Sequence, residues 1–440
     1  MADGSYLDAR GGWHDAGDSL KYLLTSSNAV AQMLTAYRLA PRVFHDSVNE
    51  LGQPVPNGQA DVLDEARWGL DWMLRLHPRA DQLFHQVGDD RDHSGWRLPQ
   101  NDQSDYGWGK GSYRVVYYAT GRPQGLREYK SESNGVANLA GRYAAAMAIA
   151  YDVWHANERS RAFADRCLRA AIEVYELGRR HEGVQQGNSY GAPYRYTEDT
   201  WADDMEWGAA ELYRVTQRSR YLGDAKRYAR LASAISWMGR DTAAHYQFYP
   251  FMNAGHFALA PLADAAFRRL LIAYYREGLE LSAARGRANA YHFGVPFIWC
   301  SNNLTVALAT QGLLFERLSG NRRYREFTAA HVDWLFGRNP WGTSMFTRVP
   351  EGGVAPQYPH LIPPDLTGRP VAGGLVDGPV AEAVFTSLKG VSLSRPDQFA
   401  PFQSPQAVYH DDMQDYSSNE PTMDGTASAI LLVALLAMGD

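Results

Sequence analysis

The chain has few cysteines, no long apolar run and little net charge, and each shortage excludes a class of protein. Only Cys167 and Cys300 occur among 440 residues, far apart, so neither a disulfide framework nor a cysteine-based zinc site is expected. The longest apolar run, 427–438, is shorter than the roughly 20 residues that cross a bilayer. It predicts a buried helix and no membrane partner. The formal net charge of -6, with dispersed basic residues, is not that of a nucleic-acid-binding protein.

The N-terminus lacks the basic and apolar segments of a secretory signal, since it reads Met-Ala-Asp-Gly-Ser. We therefore expect either a cytoplasmic protein or a secreted one from which a signal was removed. Aromatic residues, in contrast, are abundant, with 12 Trp and 26 Tyr beside 16 Phe. Sugars stack on such rings and form hydrogen bonds with their polar edges. Carbohydrate binding is therefore one interpretation, and a large aromatic core is the alternative.

Helical periodicity dominates the chain. Apolar residues at i, i+3, i+4 and i+7 mark ten segments: 20–39, 60–76, 137–155, 160–179, 203–217, 223–237, 258–283, 303–318, 322–336 and 424–438. Long loops, which usually carry function in compact proteins, occupy 78–136, 181–202, 238–257 and 338–423. We predict an all-α, single-domain toroid of helical hairpins over residues 1–440. A repeat solenoid is the alternative, but no fixed-period repeat occurs.

Two motifs rich in carboxylates directly precede helices at opposite ends of the chain. Residues 11–18 read Gly-Gly-Trp-His-Asp-Ala-Gly-Asp. The positive end of the following helix favours ionised carboxylates, as a general base requires, although a simple helix cap is the alternative. Residues 409–421 read Tyr-His-Asp-Asp-Met-Gln-Asp-Tyr-Ser-Ser-Asn-Glu-Pro. Pro421 places Glu420 at a loop–helix junction, and a solvated acidic loop is the alternative.

Hydrolysis of a glycosidic bond uses two carboxyl groups, and a closed toroid brings the two ends of the chain together. The two motifs resemble the signatures around the base and the acid of glycoside hydrolase family 9. Four further stretches resemble the family in the same order: 87–96, 135–142, 297–303 and 335–340. The resemblance implies an (α/α)6 barrel without the family's N-terminal immunoglobulin-like domain. It also implies an inverting cellulase of the endo-β-1,4-glucanase type, with a β-glucan as substrate.

The resemblance assigns roles by position. Asp18 would take a proton from the attacking water, Asp15 would help to hold that water, and Glu420 would protonate the leaving oxygen. An inverting enzyme leaves room for the water, with its carboxyl groups about 6.5–9.5 Å apart. The residues implied to line the sugar sites, for which core packing is the alternative, are His93, Trp96, Trp299, His360 and Tyr416.

The densest acidic stretch, 198–206, reads Glu-Asp-Thr-Trp-Ala-Asp-Asp-Met-Glu. Oxygen ligands at such spacing suit Ca²⁺, and the resemblance implies a structural calcium in this loop. The implied ligands are Glu198, Thr200, Asp203, Asp204 and Asp241. A capped helix start with a solvated acidic face is the alternative. The family's cysteine-rich zinc site is excluded because its ligands are absent, and no organic cofactor is expected.

Two departures from the family pattern leave the substrate open. Ile362 stands two residues after His360, where the family has an arginine that makes charge-assisted contacts with sugars. Thr426 replaces an expected asparagine. An exo-acting β-glucosidase, cellodextrinase or exo-β-glucosaminidase of the same family is therefore an alternative. A noncatalytic carbohydrate-binding protein on the same fold is the alternative from another class. We expect a monomer.

Overall fold

The regular structure of the chain is almost entirely helical. The computed structural model describes residues 4–192, 195–232, 237–239, 246–388 and 391–438. Within these ranges the helices are α1 (Leu23–Leu39), α2 (Asp61–Arg75), α3 (Ala137–Trp154), α4 (Arg161–Arg180), α5 (Ala202–Thr216), α6 (Ser219–Ala232), α7 (Ala254–Leu259), α8 (Ala265–Gly286), α9 (Ser301–Ser319), α10 (Arg325–Leu335), α11 (Pro364–Thr367), α12 (Glu382–Ser387) and α13 (Met423–Ala437). Three short strands are β1 (Lys21–Tyr22), β2 (Phe84–Val87) and β3 (Val116–Tyr118).

Six helices form an inner ring that joins the two ends of the chain. Contacts run from α13 to α1, α3, α5 and α7 in turn, α8 links α7 to α9, and α9 packs against α13. Residues 23–36 of α1 and 137–150 of α3 are all buried. The outer helix α4, in contrast, buries one stripe at helical spacing, as a helix with one solvent-facing side does. The apolar C-terminal run lies in α13, and no helix in the described ranges is long and apolar enough to cross a membrane.

Apart from 258–283, each predicted segment contains a helix, although α6 begins at Ser219 and the short helices α11 and α12 lie in the predicted loop 338–423. The structure has two helices across 258–283, α7 and α8, and the single-helix prediction is wrong. Residues 260–264 separate them. Pro261 interrupts the first helix because proline lacks an N–H group. Asp264 then caps the second by accepting a hydrogen bond from the Phe267 N–H at 3.0 Å. The predicted end of the 223–237 segment falls partly on residues outside the described ranges.

A small antiparallel sheet, absent from the sequence-based prediction, ties together two loops that flank the inner ring. Lys21 of β1 pairs with Val87 of β2, and Phe84 of β2 pairs with Tyr118 of β3. β1 begins three residues after Asp18, and β2 ends just before residues 88–93. The sheet therefore fixes the loop of the first carboxylate motif beside the loop that carries His93. Strands of two to four residues are too short to show an alternating pattern.

Candidate active site

Glu420 lies in the extended segment before α13, against the loop of the first motif. Its Oε1 accepts a hydrogen bond from the backbone N–H of Gly17 at 2.8 Å. Burial, followed by the nearby carboxyl groups of Asp377 and Asp18, raises the pKa of Glu420 well above its usual range. A carboxyl group in such a setting holds its proton near neutral pH, as a general acid must.

Asp18 lies across Gly17 from Glu420, in a different environment. Its Oδ1 accepts a hydrogen bond from the Leu20 N–H at 2.7 Å, and its Oδ2 is 3.6 Å from Nε2 of His93. The side chain is 10% exposed. One oxygen is therefore fixed by the backbone at the start of β1, while the side chain remains partly exposed. A carboxyl group fixed in this way can accept a proton, as a general base does.

Asp15 lies beneath this pair and has no exposed surface. Its two oxygens accept hydrogen bonds from the hydroxyl groups of Thr25 and Tyr196. Its carbonyl oxygen accepts the Met423 N–H at 2.9 Å, which joins the first motif to α13. Burial, and then the charge of Asp424, raises the pKa of Asp15 well above its usual range. The predicted role of Asp15 in holding water stays a prediction, since its oxygens contact hydroxyl groups of the protein.

His93 lies between two carboxylates. Its Nδ1 is 3.1 Å from Oδ1 of Asp92, and Asp92, which is buried, also pairs with Arg114 at 3.0 Å. Burial lowers the pKa of His93, but the hydrogen bond with Asp92 and the charge of Asp18 outweigh it, and the net shift is upward. A protonated His93 beside Asp18 favours the ionised base. The sequence predicted only a sugar contact for this residue.

The other predicted sugar-binding residues form one continuous row of rings. The centroids of Trp96 and His360 are 4.7 Å apart, those of His360 and Tyr416 5.7 Å, and those of Tyr416 and Trp299 5.9 Å. Nδ1 of His360 donates a hydrogen bond to the carbonyl oxygen of Met413 at 2.6 Å, which fixes the orientation of the imidazole ring. Two of these contacts are edge-to-face and the third is tilted, and sugar binding by these rings stays a prediction.

Two residues of the site were not found from the sequence. Asp377, 1% exposed, accepts hydrogen bonds from Nε1 of Trp299 and Sγ of Cys300 at 3.0 and 3.3 Å. The sequence does contain a signal for Asp377, because residues 376–379 read Val-Asp-Gly-Pro, which is typical of a tight turn inside a long loop. Tyr196, the partner of Asp15, gave no signal, since it is a single tyrosine in a loop without periodicity.

Two of the predicted calcium ligands surround an arginine. The guanidinium group of Arg142 donates two hydrogen bonds to Glu198, both at 2.7 Å, and lies 3.3 Å from Asp204. Asn138 donates to Glu198 as well, at 2.6 Å. All three charged side chains of this cluster are fully buried. The positive charge that a calcium ion would supply is therefore already provided by Arg142.

The other predicted calcium ligands are Thr200, Asp203 and Asp241. The hydroxyl group of Thr200 donates to the carbonyl oxygen of Tyr249 at 3.4 Å. Burial, and then the charge of Glu198, raises the pKa of Asp203 to about 7. Asp241 lies outside the described residues, among which no cluster of three or more acidic, His or Cys side chains is arranged to hold a metal ion. Calcium stays a prediction, and Arg142 is the observation against it.

The sequence model described as Glycosyl hydrolase family 9 matches residues 2–433. The chain belongs to glycosyl hydrolase family 9. Endoglucanase C of Cellulomonas fimi is 28% identical over 452 residues, which cover 95% of this chain and 36% of that protein. The xyloglucan-specific endo-beta-1,4-glucanase of Bacteroides ovatus is 25% identical over 448 residues, or 98% of this chain and 70% of that protein.

Solved structures show the same fold. The crystal structure of a metagenome-derived glycoside hydrolase family 9 endoglucanase has a TM-score of 0.72 and 27% identity, and the match covers 98% of this chain and 71% of that one. The inner ring with its outer helices is thus the (α/α)6 barrel that the resemblance implied. The chain spans 36% of the length of Endoglucanase C and 40% of that of Endoglucanase 21 of Oryza sativa subsp. japonica.

Proposed function

We propose that this family 9 glycosyl hydrolase cleaves internal β-1,4 bonds of a β-glucan with inversion at the anomeric carbon. The observation that carries the proposal is the asymmetry of two neighbouring carboxyl groups. Glu420 is held by the Gly17 N–H and has a raised pKa, while Asp18 is fixed by the Leu20 N–H beside His93. Two carboxyl groups in environments that separate their protonation states are what acid–base hydrolysis of a glycoside requires.

In the proposed reaction, Glu420 donates its proton to the glycosidic oxygen as the bond to the anomeric carbon breaks. Asp18 removes a proton from the water that attacks the opposite face of the sugar. A protonated His93 keeps Asp18 ionised until that proton arrives. After product release the two carboxyl groups return to their starting forms by exchanging protons with solvent, so the protein is unchanged overall.

The row of rings from Trp96 to Trp299 supports a chain-like, neutral sugar substrate. Each ring offers an apolar face to a pyranose, and the polar edges of His360 and Tyr416 suit hydroxyl groups. The similar proteins from Cellulomonas fimi and Bacteroides ovatus are named endoglucanases, which supports internal cleavage of a β-glucan by this chain.

The test compares wild type with Glu420→Gln and Asp18→Asn on carboxymethyl-cellulose, cello-oligosaccharides, xyloglucan and chitosan oligomers. Wild type should lower the viscosity of carboxymethyl-cellulose faster than it releases small sugars, because internal cuts shorten the polymer first. Both variants should bind cello-oligosaccharides, unfold at the wild-type temperature and lack turnover. Wild-type turnover in either variant would overturn the assigned roles, and release of single sugar units without loss of viscosity would favour exo action.

A further inference from the structure

Asp377 is a buried carboxyl group for which the reaction above has no use. It is 1% exposed, and among the described residues no ion pair with a basic side chain involves it. An isolated buried carboxyl group is costly. Burial raises the pKa of Asp377 well above its usual range. A perturbed group of this kind next to a cleft is a candidate for a role in the site rather than in packing.

The backbone holds Asp377 directly against the acid. Its N–H donates to the carbonyl oxygen of Glu420 at 2.8 Å, and its carbonyl oxygen accepts the N–H of Asn302, at the start of α9, at 2.9 Å. The next residue, Gly378, has a φ of +91°, and a Cβ there would lie 2.4 Å from Cγ of Asn302. No other residue fits this turn without displacing Asn302. The position of Asp377 relative to Glu420 is therefore fixed.

The side chain of Asp377 contacts the last ring of the aromatic row. Its Oδ2 accepts the indole N–H of Trp299 at 3.0 Å, and its Oδ1 accepts the thiol of Cys300 at 3.3 Å. Trp299 is the terminal ring of the aromatic row, 5.9 Å from Tyr416. One buried residue thus contacts the acid through its backbone and the end of the row through its side chain.

We propose that Asp377 is a positioning residue of this active site, which anchors the indole of Trp299 and places a second carboxyl group near that of Glu420. This inference rests on the proposed function, in which Glu420 is the acid. It assigns to one residue both the orientation of a sugar-binding ring and the retention of the catalytic proton.

The electrostatic part follows from the groups around the pair. Those facing Glu420 include Asp377, Asp18 and Asp15, which raise its pKa, and the Gly17 N–H, which lowers it. The thiol of Cys300 and the phenol of Tyr416 also face it. Asp377 in turn faces the thiol of Cys300 and the carboxyl groups of Asp424 and Asp15. Two carboxyl groups in one buried site cannot both ionise easily, so the pair keeps one proton as the pH rises, and Asp377 thereby raises the pKa of Glu420.

Two substitutions separate anchoring from charge. Asp377→Asn keeps an oxygen that can accept the Trp299 N–H, and its amide N–H₂ can donate to the sulfur of Cys300, but the charge is gone. Asp377→Ala removes both. Asp412→Asn is the matched control, because Asp412 is a buried aspartate within the same 409–421 motif, where it accepts hydrogen bonds from the Ser394 hydroxyl and the Arg395 N–H and does not contact Glu420.

The measurement is kcat and KM on a soluble cello-oligosaccharide across the pH range. Asp377→Asn should move the alkaline limb of kcat/KM to lower pH by about one unit, with KM near that of wild type. Asp377→Ala should show the same shift together with a KM raised several-fold. Asp412→Asn should leave the alkaline limb where it is.

An unchanged alkaline limb in Asp377→Asn overturns the electrostatic half of the inference, and a wild-type KM in folded Asp377→Ala overturns the anchoring half. If Asp377→Ala does not fold, the indole N–H NMR signal of Trp299 in Asp377→Asn, assigned by its absence in Trp299→Phe, replaces it as the test of anchoring. Fast exchange of that N–H with solvent contradicts retained anchoring. Glu420→Gln distinguishes this failure from a wider one, because turnover in that variant would overturn the proposed function itself.

Discussion

Gly17 lies between the two proposed catalytic carboxyl groups, and its replacement by alanine should disable the site without unfolding the protein. A Cβ at this position would lie 2.4 Å from the carbonyl oxygen of His360 and 2.8 Å from Oε1 of Glu420. Only a residue without a side chain lets the first motif approach the acid this closely. The added methyl group must therefore push the two loops apart.

The size of the effect follows from these distances. Ordinary van der Waals contact begins at 3.4 Å, so the His360 loop or the Gly17 loop must move by about 1 Å. A displacement of about 1 Å in a reacting geometry costs roughly 100-fold in rate. This corresponds to about 2.7 kcal/mol in activation free energy. We predict that Gly17→Ala lowers kcat by about this factor, with a smaller change in KM.

The assay is steady-state hydrolysis of a cello-oligosaccharide, with thermal unfolding as the check on folding. Gly223→Ala is the matched control, because a Cβ at Gly223 in α6 meets nothing within 4 Å. Alanine there should leave turnover unchanged and stabilise the helix by up to about 1 kcal/mol. A folded Gly17→Ala variant with kcat within a few-fold of wild type would refute the reasoning about this contact.

Three further predictions concern charges. His93→Gln should move the acid limb of kcat/KM to higher pH, because Asp18 loses a neighbouring cation; an unmoved limb with a higher KM would leave His93 a sugar contact only. Arg142→Leu leaves the buried Glu198 carboxylate without its partner and should lower the free energy of unfolding by about 3–5 kcal/mol, which is about 3–5 °C in Tm at about 2 cal/mol/K per residue. EDTA should leave the wild-type Tm unchanged, and a large fall in Tm with EDTA would support a bound calcium ion. Burial lowers the pKa of His85 to about 3, so below about pH 6.5 the unfolded chain binds a proton that the folded protein does not, and stability should fall with pH. His85→Gln should make the fall of Tm with pH less steep, and an equally steep profile would contradict this.

Most of the long helices could be predicted because apolar residues recur at helical spacing in the sequence, whereas α11 and α12 are too short to show such a pattern. The exceptions have physical reasons. Pro261 is a common signal for the end of a helix and Asp264 for the start of the next one. The apolar pattern continues through both residues and conceals the break in the 258–283 segment. The three-stranded sheet depends on pairings between distant short segments, such as Lys21 with Val87. No local pattern records those pairings.

The site shows the same division between local and distant information. Asp18 and Glu420 each lie in a self-contained motif that precedes a helix, so the sequence alone identified them as candidates. Their partners come from elsewhere in the chain, and only the closed barrel shows that Tyr196 binds Asp15. The spacing of acidic residues suggested calcium in the same way, because nothing in that stretch shows Arg142 reaching it from α3.

The central claim is an inverting reaction between Glu420 and Asp18, and the anomer of the first product tests it most directly. Wild-type enzyme should be mixed with a cello-oligosaccharide in an NMR tube and the anomeric proton followed before mutarotation. We expect the newly formed reducing end to appear first as the α-anomer, since water attacks the face opposite the departing β-linked sugar. If the new end appears first as the β-anomer, the reaction does not invert the anomeric carbon.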